Sequence, residues 1–141
     1  MVESTRLEIL KVLETACAGE VIFEVKLQNR VVQVAGFADV PIDDEQLLME
    51  AVAQQLVYVV LAGLYTGDDC VENGPNLHAI NLVGWGTTPE GCKYWILKNS
   101  WGQDWGEKGY MRIARQTADP KGACFLTQQT CYPVLDQPPG A

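Results

Sequence analysis

A chain of 141 residues can form one domain with a modest core, and its 48% hydrophobic and 20% charged content argues against a disordered tail. The formal charge is -8, from 18 acidic and 10 basic side chains, which has the wrong sign for binding a phosphate backbone, so no nucleic-acid partner is expected. No apolar run reaches the length of a membrane span, and no membrane partner is expected either.

The first residues, Met1 to Glu8, are charged and lack a continuous apolar run, so they do not read as a signal peptide. Residues 4–16 predict a short amphipathic helix, with Thr5 and Glu8 at capping-box spacing and Leu7, Leu10 and Leu13 along one flank. Two strand-like runs follow. In the first, Val21, Phe23, Val25 and Leu27 alternate with other side chains. The second covers Val31 to Ala35, after a polar turn at Gln28–Arg30. A clearer helix starts near Pro41, capped by Asp43 or Asp44, with Leu47, Leu48, Ala51, Val52 and Leu56 as its apolar face.

Val57 to Leu61 is a continuous β-branched and apolar run, which predicts a buried strand. Residues 63–75 are rich in Gly, Asp and Asn and read as loop. Two strands, His78–Trp85 and Cys92–Asn99, then flank Gly86–Gly91. A Gly/Trp-rich stretch from Asn99 to Gly109, a strand over Tyr110–Arg115, a cysteine-bearing segment to Val134 and a Pro-rich tail at 136–141 complete the chain. Short helices among many strands indicate a small α+β domain dominated by antiparallel sheet.

The two strands around Gly86–Gly91 bear the chemistry. A turn centred between Thr88 and Pro89 sets Ile80 opposite Leu97 and Leu82 opposite Trp95 on one face, with Val83 opposite Tyr94 and Asn81 opposite Ile96 on the other. A slip of one residue would break both sets. This register puts His78 opposite Asn99, with β-carbons roughly 4.5–5.5 Å apart. The Asn oxygen can then accept a proton from one imidazole nitrogen and leave the other free to act as a base. A cross-strand His–Asn pair can also do no more than satisfy its own hydrogen bonds, and spacing alone leaves both readings open.

The segment Asn99-Ser-Trp-Gly-Gln-Asp-Trp-Gly-Glu-Lys-Gly-Tyr110, with Tyr94-Trp-Ile-Leu-Lys98 before it, resembles the papain-like cysteine proteases, the peptidase C1 family, and plant members especially. His78-Ala-Ile-Asn-Leu-Val-Gly-Trp-Gly86 is similar to the family's histidine strand, with Trp85 where Tyr is commoner. Val34 to Pro41 and the helix to Gln55 resemble the family's entry into the same domain. The resemblance covers residues 31–135. It implies the C-terminal half of a papain-like fold, an antiparallel β-sheet or partial barrel with short helices, preceded by a divergent segment over 1–30 and lacking the helical domain that bears the catalytic cysteine.

Carried over, the resemblance makes His78 the general base and Asn99 its orienting partner, with Trp101 and Ser100 in support. Trp101 would shield the Asn–His hydrogen bond from water. It pairs Cys70 with Cys124 in a disulfide, although Phe125 stands where the family usually has Gly. It calls for no cofactor. The implied partners are a peptide or protein substrate, a full-length protease, a propeptide or a cystatin-like inhibitor, and the implied compartment is vacuolar, lysosomal or extracellular.

None of the five cysteines lies in a C-x-x-C pair and there is a single histidine, so no metal site is expected. Nothing resembles the family's nucleophile segment. Cys92 lies at the turn end of the hairpin, on the order of 20 Å from His78 at about 3.3 Å per residue. Cys131 has no obvious route to His78, and Cys17 precedes no helix of the catalytic kind. Two functions compete: an endopeptidase fragment, inactive alone, and a non-catalytic, protease-like binding or regulatory module. Because Val57–Ala62 runs directly into Gly63–Gly67, without the short helical stretch of the family, an incomplete sheet with an exposed apolar docking face is expected.

Overall fold

The computed structural model describes residues 34–62 and 77–135. The expected helix over 4–16, the strand over 21–27, the start of the strand at 31–33, the loop at 63–75, the tail at 136–141, and both Cys17 and Cys70 lie outside the described residues.

Strand β1 covers Val34–Asp39, longer at its end than the expected run to Ala35. The ladder to its partner continues past an irregularity between Val34 and Gly36, so pairing overrides the weak strand propensity of glycine. Helix α1 follows over Glu45–Gln54. Asp44 caps it, its side chain accepting the Leu47 N–H at 2.9 Å. Both carboxylate oxygens of Glu45 accept the Gln116 N–H, at 2.9 and 3.1 Å, and tie the helix to the far end of the sheet. Leu48 and Val52 are buried, and Met49 and Ala51 pack beside them. Leu47, expected on the apolar face, is instead 39% exposed, because it is turned about 100° around the helix from Leu48. Asp44→Ala is expected to cost about 1 kcal/mol, read as a lower urea midpoint with an unchanged slope.

The remaining strands are β2 Val57–Ala62, β3 Leu77–Thr87, β4 Lys93–Lys98, β5 Tyr110–Ala114 and β6 Thr130–Leu135, with a short 3-10 turn at Ala123–Phe125. Among the described residues, β1 to β6 form one six-stranded sheet in the order β1-β6-β2-β3-β4-β5, antiparallel throughout. The sheet is open, not a closed barrel. One face carries the core: Val57, Val59, Leu61, Ile80, Leu82, Trp95, Leu97 and Ile113 with Leu48 and Val52 from α1 and Leu126 from the segment before β6. The opposite face holds a smaller cluster around Tyr58 and Cys131, with Phe37, Val60 and Ala79 against it.

The β3–β4 register differs from the expected one. Leu82 pairs with Leu97 and Asn81 with Lys98, a shift of two residues, and a bulge between Leu82 and Gly84 then sets Trp85 opposite Trp95. The turn lies further along the chain than Thr88–Pro89: Thr88 N–H donates to Cys92 O, and Gly91 N–H to Thr88 O, both at 2.9 Å. A shift of two keeps every side chain on its face, so Ile80, Leu82, Trp95 and Leu97 form the core as expected. The bulge inserts one residue and reverses the alternation beyond it. Trp85 therefore joins the core side, edge-on to Trp95 with ring centroids 6.4 Å apart.

In the turn, the Glu90 carboxyl is held below its ordinary value of 4.5, first by its own backbone N–H and then by the Thr88 side chain. A lowered folded-state value means that these contacts stabilise the hairpin above about pH 4.5 and lose that effect as pH falls through the lowered value. Thermal unfolding of Glu90→Gln should fall below the parent at neutral pH and converge with it in acid.

Cys124 and Cys131 are disulfide-bonded, and Cys92 is free and exposed. Phe125 adopts φ 59° and Cys124 φ 52°, a left-handed stretch that costs roughly 1–2 kcal/mol per non-glycine residue. The chain keeps the turn with Phe in the glycine position and bears that strain.

Candidate functional site

His78 is the second residue of β3, paired with Leu61 of β2, and lies on the same alternation as Ile80 and Leu82. Asn99 follows β4, on the alternation of Trp95 and Leu97. Extending the observed ladder by one step sets Asn99 opposite Ile80, so His78 is its diagonal neighbour, not its direct partner. Diagonal positions lie about 7–8 Å apart, within reach of long side chains. The two meet: His78 Nε2 stands 3.0 Å from Asn99 Oδ1. The expected contact forms by a different register.

Asn99 is buried, at 5% exposure. Its Oδ1 also accepts the Ser100 N–H at 2.8 Å, while its Nδ2 is buried without a hydrogen-bond partner. Trp101 lies against the imidazole, with ring centroids 4.9 Å apart and planes tilted by 39°. Trp105 meets Trp101 edge-on at 5.2 Å. Thus His78 lies against Trp101, and Trp101 is buttressed by Trp105. Trp101 itself remains 44% exposed and His78 is half-buried, so the ring contact covers the pair only in part.

The loop that carries these tryptophans is held by its own backbone. Asn99 N–H donates to Gly109 O at 2.9 Å, which closes the loop at its base. Gly106 has φ +55°, and a β-carbon there would stand 2.6 Å from Tyr110 O. Only glycine fits that approach. The Glu107–Arg112 ion pair at 2.7 Å is exposed and holds the loop to the outer strand, with small effect on stability.

Cys92 does not approach this site. It lies beyond Thr88, ten residues along the strand from His78, or roughly 30 Å at extended spacing, further than the register with Trp85 opposite Cys92 implied. Cys124 and Cys131 are engaged in disulfides. Leu77, next to His78, was not singled out by sequence reasoning and is 58% exposed. Its one signal is an apolar residue at the outward end of a strand. A groove of about 310 Å³, lined by residues of β1, β2 and the start of β6 among others, includes neither His78 nor Asn99. Among the described residues, no group of three or more His, Cys, Asp or Glu side chains could hold a metal, and no helix is long and apolar enough to cross a membrane.

Residues 15–134 match the family model described as papain family cysteine protease. The chain is 40% identical over 121 residues to the senescence-specific cysteine protease SAG12 of Arabidopsis thaliana, covering 78% of this chain and 34% of that protein. It is 37% identical over 132 residues to vignain of Vigna mungo, covering 84% and 36%. The chain thus spans about a third of the length of these relatives. Among solved structures, bromelain of Ananas comosus in complex with the E64 inhibitor superposes with a TM-score of 0.67 at 30% identity, over 91% of this chain and 67% of that one. The proform of the ragweed pollen cysteine protease Amb a 11 gives 0.67 at 34% identity, over 85% and 39%.

Proposed function

Because the chain belongs to the papain family of cysteine proteases, we propose that it carries the base half of a thiol endopeptidase and turns over no peptide by itself. His78 is the general base and Asn99 orients it. Trp101 and Ser100 support that pair. With a thiol beside the free ring nitrogen, the imidazole would take the thiol proton, the thiolate would attack the peptide carbonyl, and the imidazolium would protonate the leaving amine. The observation that carries this reading is the 3.0 Å contact between His78 Nε2 and Asn99 Oδ1 on strands matching the family. Inactivity rests on the described cysteines, two bonded and one remote on β3–β4.

The purified chain, assayed with a fluorogenic dipeptide substrate and a covalent epoxide thiol probe, should show neither turnover nor labelling. Mixing it with the nucleophile-bearing half of a plant relative should restore both. Turnover by the chain alone would overturn the claim of inactivity.

A second reading, a binding or regulatory module, is favoured by the exposed apolar side chains of Leu77, which precedes His78 in β3, and Trp101, which lies against its ring. Its partners would be a full-length protease, a propeptide or a cystatin-like inhibitor. Relatives solved as a proform and with an inhibitor bound agree with such partners. Stable co-purification with an intact protease, together with failure of reconstitution, would favour it. The disulfides at Cys124 and Cys131 support an oxidising compartment, vacuolar, lysosomal or extracellular.

A further inference from the structure

We infer that the main-chain N–H of Ser100 selects which imidazole nitrogen of His78 is free to accept a proton. The inference rests on the reading of His78 as a base and adds the positioning group behind it. Asn99 Oδ1 has two neighbours, His78 Nε2 at 3.0 Å and Ser100 N at 2.8 Å. A carboxamide has nearly the same shape in either orientation, so shape alone does not say which end faces the ring. A backbone N–H can only donate. It therefore requires an oxygen on its side of the amide, and the same oxygen then faces His78 and requires a proton on Nε2. Nδ1 is left with its lone pair.

The reversed amide would set Nδ2 against the Ser100 N–H, donor against donor. It would also present a donor to His78 and move the ring proton to Nδ1. The other end of the amide does not resist this reversal, because Asn99 Nδ2 is buried without a partner. Trp101 lies against the imidazole ring, and among the described hydrogen bonds of His78 only the one to Asn99 Oδ1 involves a ring nitrogen. Among the described contacts, Ser100 N–H is the discriminating one.

The test needs no activity. Long-range proton–nitrogen correlation spectra of the nitrogen-15-labelled chain, taken at alkaline pH where an ordinary imidazole is neutral, should show His78 protonated on Nε2. Replacing Ser100 by its α-hydroxy-acid counterpart turns the amide into an ester, which removes the N–H and keeps the side chain. The ratio of the Nε2–H to the Nδ1–H form should then fall roughly twofold to tenfold, the range expected for losing one hydrogen bond. Asn99→Asp, whose two oxygens are equivalent acceptors, should keep the Nε2–H form with either backbone.

An unchanged ratio in the ester, or a dominant Nδ1–H form in the parent, would overturn the inference. If the ester variant does not fold, a scalar coupling across the hydrogen bond from Ser100 N to the Asn99 side-chain carbonyl carbon is expected in the parent, and its absence would overturn the inference equally. Failure of reconstitution with a nucleophile-bearing half would instead count against the peptidase reading and leave this measurement untouched.

Discussion

Trp95→Ala should lower unfolding stability by about 3–5 kcal/mol. Trp95 is 1% exposed and belongs to the main core. It meets Trp85 edge-on at 6.4 Å, and the Arg115 guanidinium lies over its ring at 5.5 Å. Arg115 is itself buried at 8% exposure. Its guanidinium donates to Met49 Sδ at 3.2 Å, and its Nε is buried without a hydrogen-bond partner. Truncating the indole therefore opens a cavity and also removes the aromatic face that compensates a buried cation. The measurement is denaturant unfolding against Val134→Ala, whose side chain is 42% exposed and whose loss should stay within about 0.5 kcal/mol. A Trp95→Ala variant as stable as that control would mean that the core is not organised around this residue.

The second large effect concerns chemistry. In a reconstituted enzyme, His78→Ala should reduce kcat/KM at least about a thousandfold, since under the proposed function one side chain would both activate the nucleophile and protonate the leaving group. His78 is only half-buried at the start of β3, so its loss should leave the fold intact, which circular dichroism and the urea midpoint would check. Asn99→Ala should retain more activity than His78→Ala, because it removes orientation and leaves the base. Full activity of the His78→Ala assembly would sink the assignment of the base.

The sequence was legible wherever local pattern and burial agree. The Val57–Leu61 run and the core set of Ile80, Leu82, Trp95 and Leu97 could be read because apolar periodicity marks a face, and the helix start narrows to a cap at Asp43 or Asp44, of which Asp44 is the one observed. The β3–β4 register could not be read in the same way. An even shift leaves that periodicity intact, so the turn alone decides it, and Thr88 to Cys92 closes one step later than the Thr-Pro pair suggested. The bulge at Val83 left no mark except Trp85, an aromatic residue on what plain alternation makes the wrong face. The His78–Asn99 contact survived the shift because both residues remain on one face and their side chains span the diagonal. Leu47 failed for the opposite reason: a helix with a narrow buried stripe leaves one flanking leucine in solvent. The family resemblance rested on the loop from Asn99 to Tyr110, whose backbone contacts restrict the residues it can carry.

The place of β6 has a consequence for how the molecule is made. The strand pairs with β1 on one side and β2 on the other, so elements early in the described region are joined through the last one. Among the described strands β1 pairs with β6 alone, and during synthesis that partner is missing until Thr130–Leu135 emerges. Such long sequence separations slow folding and prolong exposure of unpaired edges. A ribosome that stalls short of Thr130 would release a chain in which β1 lacks its β6 partner, and that product should be a preferred target for chaperones and degradation.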